Sequence, residues 1–330
     1  MNTARSLLPK YYSILEEHRT AQYLECKHIR VSFDPITTTN ELWHIHDTAL
    51  TEMNVQDLYA RQSLLDLKIE LARRLYQACC FCEHRCGVNR EKATGKCRVK
   101  ESRIASEFLH FGEEPMLVPS YTVFFSGCTF QCAFCQNWDI SQNPCGVIVD
   151  PTVLVATAEQ RRRQGARNIN WVGGDPTSNL LYILTVLKKL DSNIPQIWNS
   201  NMFCSGETMK LLHGVIDVYL TDFKYGNDHC AHRLSKVDGY TSIVQRNHRI
   251  AYTQGELIVR HLVMPNHDQC CSQPILQWIK QNTPEVLVNV MPQYRPEYHA
   301  DDYEEIAQPL LREEYLKIKE YAETLGLFLI

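Results

Sequence analysis

From about residue 120 the chain alternates short apolar runs, rich in β-branched and aromatic residues, with longer segments of helical period. The short runs lie at 121–127, 168–174, 195–201, 217–223, 256–263 and 285–291, and each reads as a strand. Between them stand helix-like stretches at 153–164, 181–190, 205–214 and 272–281, and a last long one covers 301–326. Strands alternating with helices predict parallel β/α units, here six of them. A six-unit partial β/α barrel fits the pattern. An open doubly wound sheet writes the same string, so periodicity leaves that choice open.

Residues 1–100 lack this rhythm. A helix is predicted over 55–77, followed by the cysteine-rich stretch CCFCEHRCGVNREKATGKC at 79–97. The chain therefore divides into a helical, cysteine-rich lobe at 1–100 and an α/β domain at 101–330. His44, His46 and Asp47 lie close together in the lobe and read as exposed or partly packed side chains rather than a metal pair.

Composition changes this picture mainly through cysteine. Hydrophobic residues make up 44% of the 330 and charged ones 22%, as in ordinary globular proteins. The formal net charge is −4, and the short basic runs at 161–163 and 246–249 read as solvated helix faces, so no nucleic-acid partner is expected. The N-terminus has no apolar core of signal-peptide length and no segment has the length of a membrane span, which predicts a cytoplasmic chain with no membrane partner. Fourteen cysteines in a reducing compartment point to metal or redox chemistry rather than disulfides. Seven fall into two groups, Cys79/Cys82/Cys86/Cys97 and Cys128/Cys132/Cys135; Cys26, Cys80, Cys145, Cys204, Cys230, Cys270 and Cys271 are scattered.

In FFSGCTFQCAFCQNWDIS the cysteines have C-x3-C-x2-C spacing directly after the first predicted strand. A loop there faces the usual active-site mouth of a barrel, and three thiolates hold three irons of a [4Fe–4S] cubane. The fourth iron stays open, as catalytic metal positions do, and S-adenosylmethionine (SAM) is expected to chelate it. Buried core cysteines or part of a zinc site are the plainer alternatives.

The strings HFGEEP, FFSGC, CQNWDIS, WVGGDPT, WNSNM, DVYLTDFKY, IVRHLVMP and VNVMPQY together resemble the radical SAM superfamily over most of 78–325, and within it proteins similar to pyruvate formate-lyase activating enzyme. The resemblance implies a partial (β/α)6 barrel, a [4Fe–4S] cluster on Cys128, Cys132 and Cys135, bound SAM, and an electron donor such as flavodoxin or ferredoxin. Gly173-Gly174-Asp175 resembles the family's glycine-rich motif at the methionyl amino group of SAM, with aspartate where glutamate is commoner. Ser200 and Asn201 offer polar groups to SAM, while Asn199 replaces the aspartate that helps hold a cation in the better-known activating enzymes. Asp222 and Lys224 resemble an Asp-x-Lys motif and, two apart on a strand, point the same way. Arg260 and His261 point to opposite faces, and Arg260 is assigned to the interior, for SAM or substrate. Gln293 and Tyr294 close the sixth strand; Glu113 and Glu114 carry no chemistry assignable from sequence.

The four thiolates of Cys79, Cys82, Cys86 and Cys97 suffice for a tetrahedral zinc ion or an auxiliary iron–sulfur cluster, with Cys80 as a substitute for Cys79. Three functional classes follow: hydrogen abstraction from a protein or peptide, as in a glycyl-radical activase; a radical SAM enzyme acting on another peptide or a small molecule; or an iron–sulfur carrier or redox sensor. The third is the weakest, because a carrier needs four ligands and no SAM pocket.

Overall fold

A computed structural model describes residues 3–51, 61–143 and 145–330. Ten strands occur among them: β1 (Arg30–Val31), β2 (Gln62–Ser63), β3 (Ile104–His110), β4 (Ser120–Phe125), β5 (Asn168–Gly173), β6 (Gln196–Ser200), β7 (Val218–Asp222), β8 (Glu256–Leu262), β9 (Leu287–Met291) and β10 (Phe328–Leu329). β1 and β2 form a small antiparallel pair, and the other eight form one sheet in the order β10-β9-β8-β7-β6-β5-β4-β3. β4 to β10 are parallel and β3 joins antiparallel to β4. The six predicted strands are β4 to β9. The fold is α/β with a mostly parallel central sheet, the partial barrel expected.

Side-chain alternation grades the barrel interior along its axis. On alternate positions Ile197, Val218, Leu220, Ile258 and Leu287 form a cluster at the start of the strands. One pleat further on, the same faces carry Asp222, Arg260 and Asn289, paired in one register row across β7, β8 and β9. The opposite positions, among them Trp171, Trp198, Tyr219 and Val259, pack into the main core under the helices. Both faces of the sheet are therefore covered, which is why these strands read as nearly continuous apolar runs.

The apolar end is sealed by the N-terminal residues. Ala4, Leu8 and Tyr11 complete the interior cluster, and Asn168 Nδ2 donates to Tyr11 Oη at 3.0 Å. Each such buried aliphatic or aromatic side chain contributes about 1.5–3 kcal/mol. The Glu256 carboxylate, from the first residue of β8, accepts the Lys10 and Tyr11 N–H groups at 2.5 and 2.8 Å and so caps the helix Pro9–Leu15. The described helices at the N-terminal end thus pack directly on the barrel strands. The helix Leu64–Gln77 also packs against the barrel helix Leu180–Lys189.

That helix begins at Leu64, where Ser63 and Asp66 form a reciprocal capping box. The predicted residues 55–60 lie outside the described residues. The last predicted helix is shorter than 301–326 and spans Arg312–Thr324, after a Pro309 that no helix accepts in its interior. His44 is exposed, within the sequence reading, whereas His46 is fully buried against Lys68 Nζ at 2.8 Å and Asp47 at 2.9 Å, deeper than that reading placed it. No helix among the described residues is long and apolar enough to cross a membrane.

Candidate functional site

The polar end of the interior opens into a cavity of about 540 Å³. Cys128, Cys132 and Cys135 line it from the loop after β4, with Asp222 and Arg260 on the far strands and Lys224 just past the end of β7. The loop is held from several sides. Gln131 and Ala133 donate backbone N–H groups to Ser235 and Leu234 at the end of the helix Asp228–Ser235, and Thr129 O accepts from His84 Nε2 at 2.7 Å. Phe130 packs on Phe203 and Tyr240, and Phe134 on Tyr225 and Tyr294. The phenylalanine before the last cysteine is therefore an anchor in the core.

Each sulfur has a polar neighbour. The Phe130 N–H donates to Cys128 Sγ at 3.3 Å, Ser235 Oγ donates to Cys132 Sγ at 2.9 Å, and Ser141 Oγ lies 3.1 Å from Cys135 Sγ. Burial and the neighbouring Cys135 push Cys132 up to about 12, and burial with Asp175 nearby also holds the Cys128 thiol well above its ordinary value. Such thiols ionise when a cation takes the proton's place. Three converging thiols on a cavity wall, with donors already aimed at the sulfurs, fit the three protein corners of a [4Fe–4S] cluster.

Gly173 and Gly174 line the cavity, but their lack of side chains has a local cause. A Cβ on Gly173, whose φ is +126°, would sit 2.1 Å from Phe125 O, and one on Gly174 would sit 2.1 Å from Gly127 O. These glycines let the end of β5 close against the end of β4. Asp175 departs from its expected place. It is 1% exposed, and its carboxylate turns away from the cavity to accept Thr177 N–H, Ser200 Oγ–H and Asn201 N–H at 2.9, 2.9 and 3.1 Å. It braces the β6 loop instead. Ser200 and Asn201 reach the cavity through that bracing, and Asn201 Nδ2 lies 3.8 Å from Cys128 Sγ.

The opposite wall is a charged network. Asp222 accepts from Lys224 Nζ at 2.7 Å and from Arg260 Nε at 3.0 Å; Arg260 also reaches Glu113 at 3.3 Å and donates to Asn199 Oδ1. Burial opposes the Asp222 charge, but Arg260 and Lys224 hold its carboxyl down to about 2. His261 faces away and hydrogen-bonds Phe223 O and Ser272 Oγ, both at 2.8 Å. Gln293 lines the cavity, and Tyr294 is buried in the core.

Glu113 and Glu114 had no sequence-based role, yet both line this wall. Glu114 is 3% exposed; its Oε1 accepts from Asn289 Nδ2 at 3.0 Å, and its Oε2 has no partner among the described residues. Burial pushes Glu113 up to about 7, against the pull of Arg260 and with Glu114 and Asp222 adding to the rise. A raised carboxyl stabilises the fold fully below its unfolded value and loses that contribution as the pH climbs through about 7. Glu113→Gln, which mimics the protonated form, is therefore expected to gain stability relative to the parent between about pH 5 and about pH 8. Urea unfolding at both values checks this, and a pH-independent difference would contradict it.

Cys79, Cys82, Cys86 and Cys97 are close enough that burial and one another's charge raise the Cys79 and Cys82 thiols. Their segment lies against the site. The backbone of Cys82 pairs antiparallel with that of Cys204 just beyond the Asn201 loop, and a Cβ on Gly127 would meet Cys97 O at 2.8 Å. Three cysteines that look scattered in sequence also converge: the sulfurs of Cys230, Cys270 and Cys271 all lie within 4.8 Å of one another. Separations of 40 residues hid that group; the doublet at 270–271 was its only visible sign.

The profile of the radical SAM superfamily matches residues 122–279, from β4 into the helix after β8. An uncharacterized protein of Methanocaldococcus jannaschii is 47% identical over 339 residues, covering 98% of this chain and 99% of that protein. Among solved structures, methylornithine synthase is similar with a TM-score of 0.48 at 14% identity, over 97% of this chain and 77% of that one. SuiB of Streptococcus suis bound to S-adenosylmethionine is similar with a TM-score of 0.43 at 13% identity, over 62% of this chain; the chain spans 47% of that protein's length.

Proposed function

The chain is a radical SAM superfamily protein, and from that premise we propose that it generates a radical from SAM and uses it to take hydrogen from a small polar molecule bearing an ammonium or similar donor group. When bound, a reduced [4Fe–4S] cluster on Cys128, Cys132 and Cys135 supplies the electron that splits SAM into methionine and a 5′-deoxyadenosyl radical. A low-potential carrier such as flavodoxin or ferredoxin is the expected electron source. The chain's own residues shape the pocket: the cavity lies at the polar end of the barrel interior, and the Asp222–Arg260–Glu113 network keeps its wall rigid.

The observation that carries the substrate class is the free oxygen of Glu114. A buried carboxylate oxygen with no partner among the described residues costs free energy unless a ligand supplies a donor. Lys224 and Arg260 already pair with Asp222, and Arg260 with Glu113, whereas Glu114 has no ion pair among the described residues, so the open position in the wall suits a cation rather than an anion.

The test uses anaerobically reconstituted protein with dithionite, SAM and deuterated candidate amines. Deuterium is expected in 5′-deoxyadenosine from the true donor. Glu114→Gln is expected to raise KM for that donor while SAM cleavage in its absence persists; loss of both together would assign Glu114 to the SAM site instead.

A second reading is hydrogen abstraction from a protein or peptide, as in a glycyl-radical activase. It is favoured by Trp138 and Tyr298, about two-fifths exposed and stacked at 5.7 Å just beyond the cysteine loop. Exposed stacked aromatics of this kind suit macromolecular docking. For the four-cysteine group, zinc and an auxiliary iron–sulfur cluster are the two candidates, and the zinc, iron and sulfide lost when Cys82→Ser is added to protein lacking Cys128, Cys132 and Cys135 distinguish them.

A further inference from the structure

Cys230 lies near the start of the helix Asp228–Ser235 after β7, and Cys270 and Cys271 lie in the wide turn Asp268–Ser272 after β8. Their sulfurs meet. Cys230 Sγ is 4.0 Å from Cys270 Sγ, and Cys270 Sγ is 3.9 Å from Cys271 Sγ. Four thiolates around one zinc at about 2.3 Å stand about 3.8 Å apart, so these spacings suit donors that share a single ion. A disulfide needs about 2.05 Å, and adjacent residues such as Cys270 and Cys271 rarely form one.

The surroundings are built for thiolates. Asn227 Nδ2 donates to Cys230 Sγ at 3.3 Å, approaches Cys271 Sγ at 3.9 Å, and holds Cys270 O at 2.8 Å. Cys230 and Cys271 are buried and Cys270 is exposed, leaving one side of the group open to solvent. The two segments meet this closely because residue 226 is glycine: a Cβ there would lie 2.6 Å from Cys270 O and 2.8 Å from Cys271 Cα.

We propose that Cys230, Cys270 and Cys271 bind one zinc(II) ion through three thiolates, with a fourth position open toward solvent beside Cys270. The three thiol protons pass to solvent on binding, and no electron is transferred. None of the three belongs to either cysteine group described above, so the inference stands independently of the radical chemistry. It has a structural consequence, because the same helix ends at Ser235, whose hydroxyl donates to Cys132 Sγ at 2.9 Å. The ion would tie that helix to the turn after β8 and fix the hydroxyl on the sulfur.

The test is metal analysis of the full chain, produced with added zinc and purified anaerobically under reductant, beside Cys271→Ser and Cys270→Ser. Each variant is expected to hold about one zinc fewer per chain than the parent, with iron unchanged. Cobalt(II) added alone to metal-stripped protein is expected to give thiolate-to-cobalt absorption that weakens in both variants. Cys270 is at the surface, so its variant carries the test if Cys271→Ser does not fold. Equal zinc and cobalt stoichiometry in the parent and Cys270→Ser would overturn the proposal, as would a zinc-free Cys230–Cys271 disulfide under the same conditions.

Discussion

Cys132→Ala is expected to lower 5′-deoxyadenosine release from SAM by at least about 1,000-fold, a loss of about 4 kcal/mol in the barrier. Of the three loop cysteines Cys132 is the least exposed, and its neighbours Gln131 and Ala133 are fixed by backbone hydrogen bonds to the end of the helix Asp228–Ser235. Alanine keeps those bonds. It removes only the sulfur and the bond from Ser235, so the loss is local to the ligand set rather than to the fold. Circular dichroism and melting are expected to match the parent within about 1–2 kcal/mol, the cost of a small buried void. Cys145→Ala, whose sulfur lies outside both cysteine groups, serves as the comparison and is expected to retain release. Substantial release from Cys132→Ala would remove the loop from the reaction.

The parallel strands were legible because a strand covered on both faces can be apolar at consecutive positions, and Val218, Tyr219 and Leu220 or Leu257, Ile258 and Val259 write that directly. β3 was not. Its half-exposed Ser106, Glu107 and His110 sit on an antiparallel edge whose outer side has no apolar requirement. The barrel plug was equally hidden, since Leu8 and Tyr11 acquire meaning only from Ile197 and Leu220, 186 to 212 residues away. At the site, alternation sent Arg260 inward and His261 outward. Alternation says nothing about a residue in a turn. The Asp175 carboxylate found its partners in backbone N–H groups two residues on and across the β6 loop, a choice set by short-range capping geometry. Glu113 and Glu114 gained their place from a connection between β3 and β4 that had no predicted strand before it.

The buried charge network yields the other large effect. Arg260→Leu is expected to cost about 3–5 kcal/mol of stability, because it leaves Asp222 and Glu113 buried without their shared counter-charge. The pH dependence follows from the directions of the two carboxyls. Asp222 is held to about 2, below its ordinary 3.8, so its contribution is present above 3.8 and disappears only as the pH falls through about 2. Without Arg260 that depression shrinks and Glu113 rises further, so both acids favour the protonated state in the fold. The deficit of Arg260→Leu is then expected to be smaller at about pH 5 than at about pH 8. Adding Glu113→Gln to Arg260→Leu is expected to recover about 0.5–3 kcal/mol, the range of coupling between contacting side chains. Urea unfolding of the parent, both single variants and the double variant at the two pH values measures the cycle. A deficit that does not change with pH would mean that the loss comes from packing of the arginine stem, and would leave the wall of the cavity without the electrostatic role assigned to it.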